Sequence, residues 1–320
     1  MTSVHVDRAL VLTAGRGTRL GLLSALRAKP ALPVAGQPLV RRIVGWLARQ
    51  QVTEIVLNLH HRPETITAIL GDGADLGVRV RYSWEQPLLG SAGGPRRALP
   101  LLDASRFWIV NGDTLHDLPL AEMEAAHARS GALVTMALVP NPRPERFGGV
   151  IVEDGRIVRF VPPGTPGPSC HFIGVQLAEA EVFAALPDGE PAESVSGIYR
   201  ALLARGPSPI CAFLGDAPFQ DVGTPADYLA TALAVARAEG LGDDLPWGPG
   251  TRVHATARLT RTAVWDDVTI GPDVELTECV VGDGATVPAG LHLARRVLVP
   301  ADKVGTAAVD RIGDLAVAAL

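Results

Sequence analysis

Ala9-Leu10-Val11-Leu12-Thr13-Ala14-Gly15-Arg16-Gly17-Thr18-Arg19-Leu20 decides how the rest of the chain is read. Ala9 to Leu12 is apolar without polar alternation, which predicts a strand buried on both faces, as in a parallel sheet. The run then breaks into a turn with two glycines in three residues. Glycine lets a backbone take positive φ and approach a ligand with no Cβ in the way. Successive N–H groups in such a turn can line a nest for anions, and Arg16 and Arg19 add positive charge. Ten residues beyond Arg19 stands Lys29, before Pro30 and so biased towards extended backbone. The chain has only two lysines, Lys29 and Lys303, while its other basic residues are arginines. The stretch reads as a phosphate cradle. On the glycines alone, a plain strand-to-helix turn is the competing reading. Two related motifs are excluded. No Gly-x-x-x-x-Gly-Lys-Ser/Thr occurs here, and Leu20 stands where a dinucleotide fingerprint needs its third glycine.

Apolar spacing predicts a helix over 38–51, a strand over 52–59, a proline-opened helix over 63–70 and a strand over 78–84. A second glycine-rich loop spans Glu85 to Gly94, and Phe107 to Val110 is a buried strand leading into Asn111-Gly112-Asp113. Alternating strands and helices imply a mostly parallel, Rossmann-like α/β sheet flanked by helices. The three loops then meet at the carboxyl edge, where such sheets bind ligands at a topological switch point. Shorter strands follow at 132–139, 149–152, 157–161 and 172–177, interrupted by the proline-rich loop 162–168. Helices are expected over 193–204 and 225–239.

Gly240 to Pro249 reads as a linker. Beyond it Val253, Leu259, Val264, Val268, Val274 and Val280 recur about every six residues, the pattern of a short left-handed parallel β-helix. The expected domains are therefore 1–240 and 241–320. A β-helix cannot bury its ends alone, so the first domain or a second copy of the chain should cover them, and a homo-oligomer through the coil is one outcome.

Composition narrows the class. At 320 residues and 47% hydrophobic the chain can bury a large core. A net charge of −5 argues against nucleic-acid and anionic-membrane partners. Cys170, Cys211 and Cys279 lack metal spacing and read as reduced, buried thiols. No apolar run is long enough to span a bilayer and no signal-like segment opens the chain, so the expectation is cytoplasmic.

The opening stretch, taken with Lys29-Pro30-Ala31-Leu32-Pro33-Val34-Ala35-Gly36-Gln37-Pro38, resembles the signature of sugar-1-phosphate nucleotidyltransferases. It departs from it at Ala28, usually proline, and at Gly21-Leu22-Leu23, usually Pro-Leu-Thr. The resemblance implies Arg19 and Lys29 as catalytic residues and Ala14, Gly15, Gly17 and Thr18 as the phosphate turn. It assigns Gln86, Gly90 and Ala92 to the base, and Gly148, His171 and Gly174 to the sugar. Asp113 and Asp221 match the two aspartates that bind Mg²⁺, through hard oxygen ligands. In isolation each aspartate is better read as local structure, an Asx turn and a helix-start charge respectively. The implied partners are a nucleoside triphosphate and a sugar-1-phosphate. With its coil, the chain most resembles mannose-1-phosphate guanylyltransferases. Uridylyltransferases for amino-sugar-1-phosphates are the alternative. A non-catalytic nucleotide-sugar-binding paralogue is a further one, because Pro162-Pro163-Gly164 stands where the family carries Glu-Lys-Pro with the lysine on the sugar phosphate. Arg146, Arg159 and His171 are the candidates to replace it.

Overall fold

The computed structural model describes residues 5–205, 208–216, 218–305 and 309–320. By contacts the chain forms two compact units, one of residues 1–15 and 43–219, the other of residues 16–42 and 220–320.

In the first unit Ala9, Leu10 and Val11 are fully buried in the strand Arg8–Leu12. That strand pairs in parallel with Glu54–Leu59 on one side and Arg106–Asn111 on the other. Arg79–Trp84 adds a further parallel strand outside Glu54–Leu59. The chain therefore runs outward from its first strand, returns, and continues on the opposite side, so the topological switch lies between Leu12 and Asn111. Because these strands are parallel, the turns after Leu12, Trp84 and Asn111 share one sheet edge, as the sequence implies.

The expectation of a mostly parallel sheet fails beyond residue 111. Cys170–Glu179 joins the sheet antiparallel to both Arg106–Asn111 and Val134–Pro140. Gly149–Glu153 and Arg156–Val161 form an antiparallel pair, with only Ile210–Leu214 parallel to Val134–Pro140. The reason lies in the connections: two residues join 149–153 to 156–161, too few for the crossover a parallel pair requires. Helices Leu39–Arg49, Pro63–Leu70 and Pro225–Ala238 match their expected spans. Two boundaries differ. The second glycine-rich loop ends at Leu89, and Gly90–Leu102 is a helix with Pro95 and Pro100 inside it. The stretch 193–204 begins as a π-helical turn, Ser194–Ile198, before Tyr199–Leu203 becomes α-helical. Cys279 is buried as expected, but Cys170 and Cys211 are half-buried.

In the second unit, residues 252–300 build three short parallel sheets. The first contains Arg252–Val253, Thr269–Ile270 and Thr286–Val287. Arg258–Thr260, Glu275–Thr277 and His292–Ala294 form the next, and Ala263–Val264, Val280–Val281 and Arg296–Pro300 the last. Equivalent positions recur every 17 residues. Val264, Ile270, Leu276, Val281, Val287 and Leu298 stack inside this β-helix-like region. The C-terminal strands Asp310–Ile312 and Leu315–Ala319 pair antiparallel beside Arg296–Pro300, and Leu315 and Val317 join the coil's core. The chain thus supplies part of the cover the coil needs.

One glycine at the switch point is required by packing. A Cβ on Gly112 would lie 2.6 Å from Leu12 O and 2.9 Å from Thr13 Cγ2, both fixed by the central strand. Gly112→Ala should therefore cost about 1–3 kcal/mol of unfolding free energy through overpacking, read as a lower urea midpoint. An unchanged midpoint would show that the turn yields easily.

Candidate functional site

At the carboxyl edge of the first unit, three successive parallel strands are tied together by a buried polar chain. Thr13 N donates to Asn58 Oδ1 at 2.6 Å, and the Thr13 hydroxyl donates to Asn58 O. Asn58 Nδ2 donates to Glu85 Oε1 at 2.7 Å, and Leu89 N donates to Glu85 Oε2 at 2.8 Å. Thr13, Asn58 and Glu85 are all buried. Burial pushes the Glu85 carboxyl above its ordinary pKa, although the bonds from Leu89 and Asn58 pull the other way. Gly94 belongs to the same knot, since a Cβ there would meet Glu85 Oε1 at 2.6 Å and Asn58 Nδ2 at 2.9 Å. Sequence reasoning missed Asn58 and Glu85. The available signal was an amide inside the otherwise apolar Ile55–Leu59 run and a carboxylate immediately after a strand.

Beside this knot, the glycine turn leaves Ala14 buried and Gly15 exposed. Unlike Gly112, Gly15 has nothing within 4 Å of a Cβ position. Packing therefore does not explain a glycine there. Gln86 is exposed on the turn after Trp84. Gly90 and Ala92 sit differently: a Cβ on Gly90 would meet Ala192 O at 2.7 Å, and Ala92 N donates to Ala192 O at 2.9 Å. Their backbones are engaged by the segment around Glu193, whose carboxylate also accepts from the Ser91 hydroxyl at 2.6 Å.

Asp113 follows the buried strand Arg106–Asn111, half-buried, and accepts from the Thr114 hydroxyl at 3.2 Å. Gly174 takes positive φ and lies against Asn111, whose Nδ2 would be 2.7 Å from a Cβ. His171 stacks on Phe147 at 4.4 Å between ring centroids and lies 5.2 Å from Phe219. The Arg143 and Arg146 guanidiniums lie over the Phe147 ring at 5.0 and 5.4 Å. Burial lowers the His171 pKa, opposed by its bond to the Gly148 backbone, and its Nδ1 is buried with no hydrogen-bond partner. Gly148 adjoins Val161 O, 3.4 Å from where its Cβ would be.

The second unit holds the remaining predicted residues. Gly17 is left-handed at φ 60 and starts the 3₁₀ segment Thr18–Ala25, with Thr18 and Arg19 exposed. A Cβ on Gly17 would reach Lys29 Cβ at 3.4 Å, so the turn and the lysine are packed together. Arg19 Nη1, Asp221 Oδ2 and Asp227 Oδ2 all converge on Gly223, at 3.1, 3.4 and 3.0 Å from its Cβ position. The helix start beyond them is capped by Thr224 and Asp227, each accepting from the other's backbone. Asp227 thus does the work that a helix-start reading would assign to Asp221, which ends the strand Phe219–Asp221. Among the described residues, no three His, Cys, Asp or Glu side chains stand together as a metal cage.

A parallel-strand core with a glycine turn and an aspartate at its switch point defines a phosphate-handling α/β protein. Residues 8–238 match the nucleotidyl transferase family, and the chain belongs to that family. It is 29% identical to a mannose-1-phosphate guanylyltransferase of Mycobacterium tuberculosis, over 92% of this chain and 84% of that one. It is also 29% identical to a D-glycero-alpha-D-manno-heptose 1-phosphate guanylyltransferase of Aneurinibacillus thermoaerophilus, covering 69% and 94% of the two chains. The solved structure of HddC from Yersinia pseudotuberculosis complexed with GMP-PN shares the fold with a TM-score of 0.63 at 22% identity. The match covers 72% of this chain and all of that one. No helix among the described residues is long and apolar enough to cross a membrane.

Two outcomes follow from the contrast between the buried knot and the open turn. Glu85→Gln places an amide donor against either Asn58 Nδ2 or Leu89 N, and should cost about 1–3 kcal/mol. A folded pKa raised above the unfolded one is a benefit present at low pH and lost as pH rises through the folded value. The wild type's advantage over Glu85→Gln in chemical unfolding should therefore shrink from the ordinary carboxylate range upward; a gap that widens would contradict the burial account. Gly15→Ala should leave the unfolding free energy within about 0.5 kcal/mol of wild type while weakening triphosphate binding in calorimetry. Unchanged binding would remove Gly15 from the cradle.

Proposed function

We propose that the protein joins a nucleoside triphosphate to a sugar-1-phosphate, giving a nucleotide sugar and pyrophosphate, with GTP and mannose-1-phosphate as the substrates. The observation that carries this reading is the glycine turn at the sheet's switch point, in a chain of the nucleotidyl transferase family. The guanylyltransferase names of its relatives support the choice of base. An oxygen of the sugar-1-phosphate forms a bond to the α-phosphorus, and the bond to the bridging oxygen breaks, so pyrophosphate leaves with the electron pair. The attacking oxygen is already ionised at neutral pH and needs no general base. The N–H groups of Ala14, Gly15, Gly17 and Thr18 hold the phosphates, and Arg19 stabilises charge growing on the leaving group. Lys29 neutralises the triphosphate. Gln86, with backbone groups near Gly90 and Ala92, reads the base.

Asp113 and Asp221 fit Mg²⁺ in donor chemistry, each a half-buried carboxylate at a strand end. Two carboxylates without a protein cage suit an ion that takes its other ligands from water and phosphate. When bound, that ion would supply charge neutralisation and alignment of donor and acceptor. Gly148, Gly174 and His171 receive the sugar, with His171 and the Arg143–Arg146 pair beside Phe147 standing in for the absent Glu-Lys-Pro lysine. We assign residues 1–240 to the transferase domain and 241–320 to a left-handed β-helix through which copies of the chain associate. The end of the family match at residue 238 supports that boundary. The cytoplasm is the expected location.

Pyrophosphate release, assayed with GTP, UTP and other triphosphates against several sugar-1-phosphates, tests the reading. Activity should be highest with GTP and mannose-1-phosphate. Arg19→Ala and Asp113→Ala should each lower kcat by about 10²–10³ with the fold intact. Near-normal turnover in either variant would remove that residue from the chemistry. Silence with every pair, together with tight nucleotide-sugar binding, would favour the non-catalytic alternative that Pro162-Pro163-Gly164 raises.

A further inference from the structure

The segment carrying Arg19 and Lys29 is held by the β-helix-like coil, within the second unit. Between those residues lies Arg27, whose side chain is only 14% exposed. Its Nε donates to Asp283 Oδ2 at 2.7 Å, and its Nη2 donates to Asp283 Oδ1 and to Asp266 Oδ2, both at 2.6 Å. The guanidinium also sits 5.5 Å from the centroid of Trp265. Asp266 and Asp283 occupy the same corner of successive coils, 17 residues apart, and Asp266 N donates to Asp283 Oδ1 at 3.1 Å. The coil repeat therefore stacks two carboxylates where a single planar fork can take both, a geometry a lysine cannot reproduce.

Contacts continue on either side of Lys29. Leu26 lies against Gly282, with no room there for a Cβ. Trp265 Nε1 donates to the Tyr228 hydroxyl at 2.8 Å, which donates to Pro33 O at 2.5 Å. Both rings are buried. Gly36 meets Pro246, 3.2 Å from its Cβ position. Lys29 is thus bracketed by anchors at residues 26–27 and 33–36, reaching the coil, the helix before it or the stretch that links them. Burial works against the charge on Arg27, but the hydrogen bonds and charges of Asp283 and Asp266 outweigh it and hold the guanidinium ionised.

We infer that Arg27 is a positioning residue. Its clasp on Asp266 and Asp283 makes the C-terminal coil the scaffold that sets the pose of the Arg19–Lys29 segment for phosphate chemistry. The inference rests on the function proposed above for Arg19 and Lys29, and assigns the coil a role in turnover beyond association. Misplacing catalytic groups by about an ångström costs up to about a hundredfold in rate, while ground-state binding contacts elsewhere stay in place.

The test is Arg27→Ala in the full chain, with Glu278→Gln as a control that breaks only the pairs to Arg261 and Arg295 on the coil. Amide hydrogen exchange over residues 16–36 should accelerate in Arg27→Ala and not in the control. With the folded fraction matched, kcat for pyrophosphate release should fall about ten- to a hundredfold while KM stays within about twofold. Unchanged exchange over 16–36, or equal kcat in variant and wild type, overturns the inference. Should Arg27→Ala fail to fold, Asp266→Asn, which weakens one of the three bonds, carries the same readouts. A wild type inactive with every substrate pair would sink the proposed function, but the exchange measurement would still decide whether the clasp orders the segment.

Discussion

A parallel strand that stops at its carboxyl edge leaves backbone donors and acceptors with no ladder to continue into, and they must be satisfied some other way. In this protein that constraint shapes the neighbourhood of the first glycine turn. Thr13 leaves the central strand and is caught by Asn58, Asn58 is caught by Glu85, and Glu85 in turn fixes Leu89 at the start of the next helix. The ends of three strands become one rigid rim. Gly112 on the other side of Leu12 packs so closely that even a methyl group has no place. Between these two fixed points Gly15 is left open, a rigid frame around an open glycine that suits the phosphate-binding role proposed for it.

The second unit solves a different problem by different means. Its coil makes its core from small and aliphatic residues stacked at 17-residue intervals, and its corners carry polar residues such as Asp266 and Asp283. Two of those corner carboxylates, Asp266 and Asp283, are gripped by Arg27. A part-buried ion pair of this kind gains less stability than its geometry suggests, because the guanidinium, at 14% exposure, must be largely desolvated. Its better-supported use is specificity: only one register of the segment brings the planar fork to both carboxylates.

Much of this was legible in the sequence because it rests on local rules. The buried strand, the glycine turn, the proline-opened helices and the six-residue repeat each depend on residues within a few positions, and each lies close to where the pattern puts it. The antiparallel half of the sheet was not legible from periodicity, since short apolar strands read alike in either direction, and only the two-residue connection at Asp154-Gly155 betrays a hairpin. Gly90 to Gly94 reads as a loop because glycine is a poor helix former. Those glycines are instead used where Ala192, Glu190 and Glu85 approach the helix closely. The Glu85 knot and the Arg27 clasp were invisible for a simpler reason. Partners lie 27 residues apart in the first case and 239 and 256 in the second, and nothing local marks them.

Isotope tracking through the reaction tests the central claim most directly. With the phosphate oxygens of mannose-1-phosphate labelled with ¹⁸O and GTP unlabelled, attack of the sugar phosphate on the α-phosphorus keeps every labelled oxygen in the nucleotide sugar. The account predicts label in that product and none in pyrophosphate, as read by mass spectrometry. Label in pyrophosphate, or no nucleotide sugar at all, would contradict it.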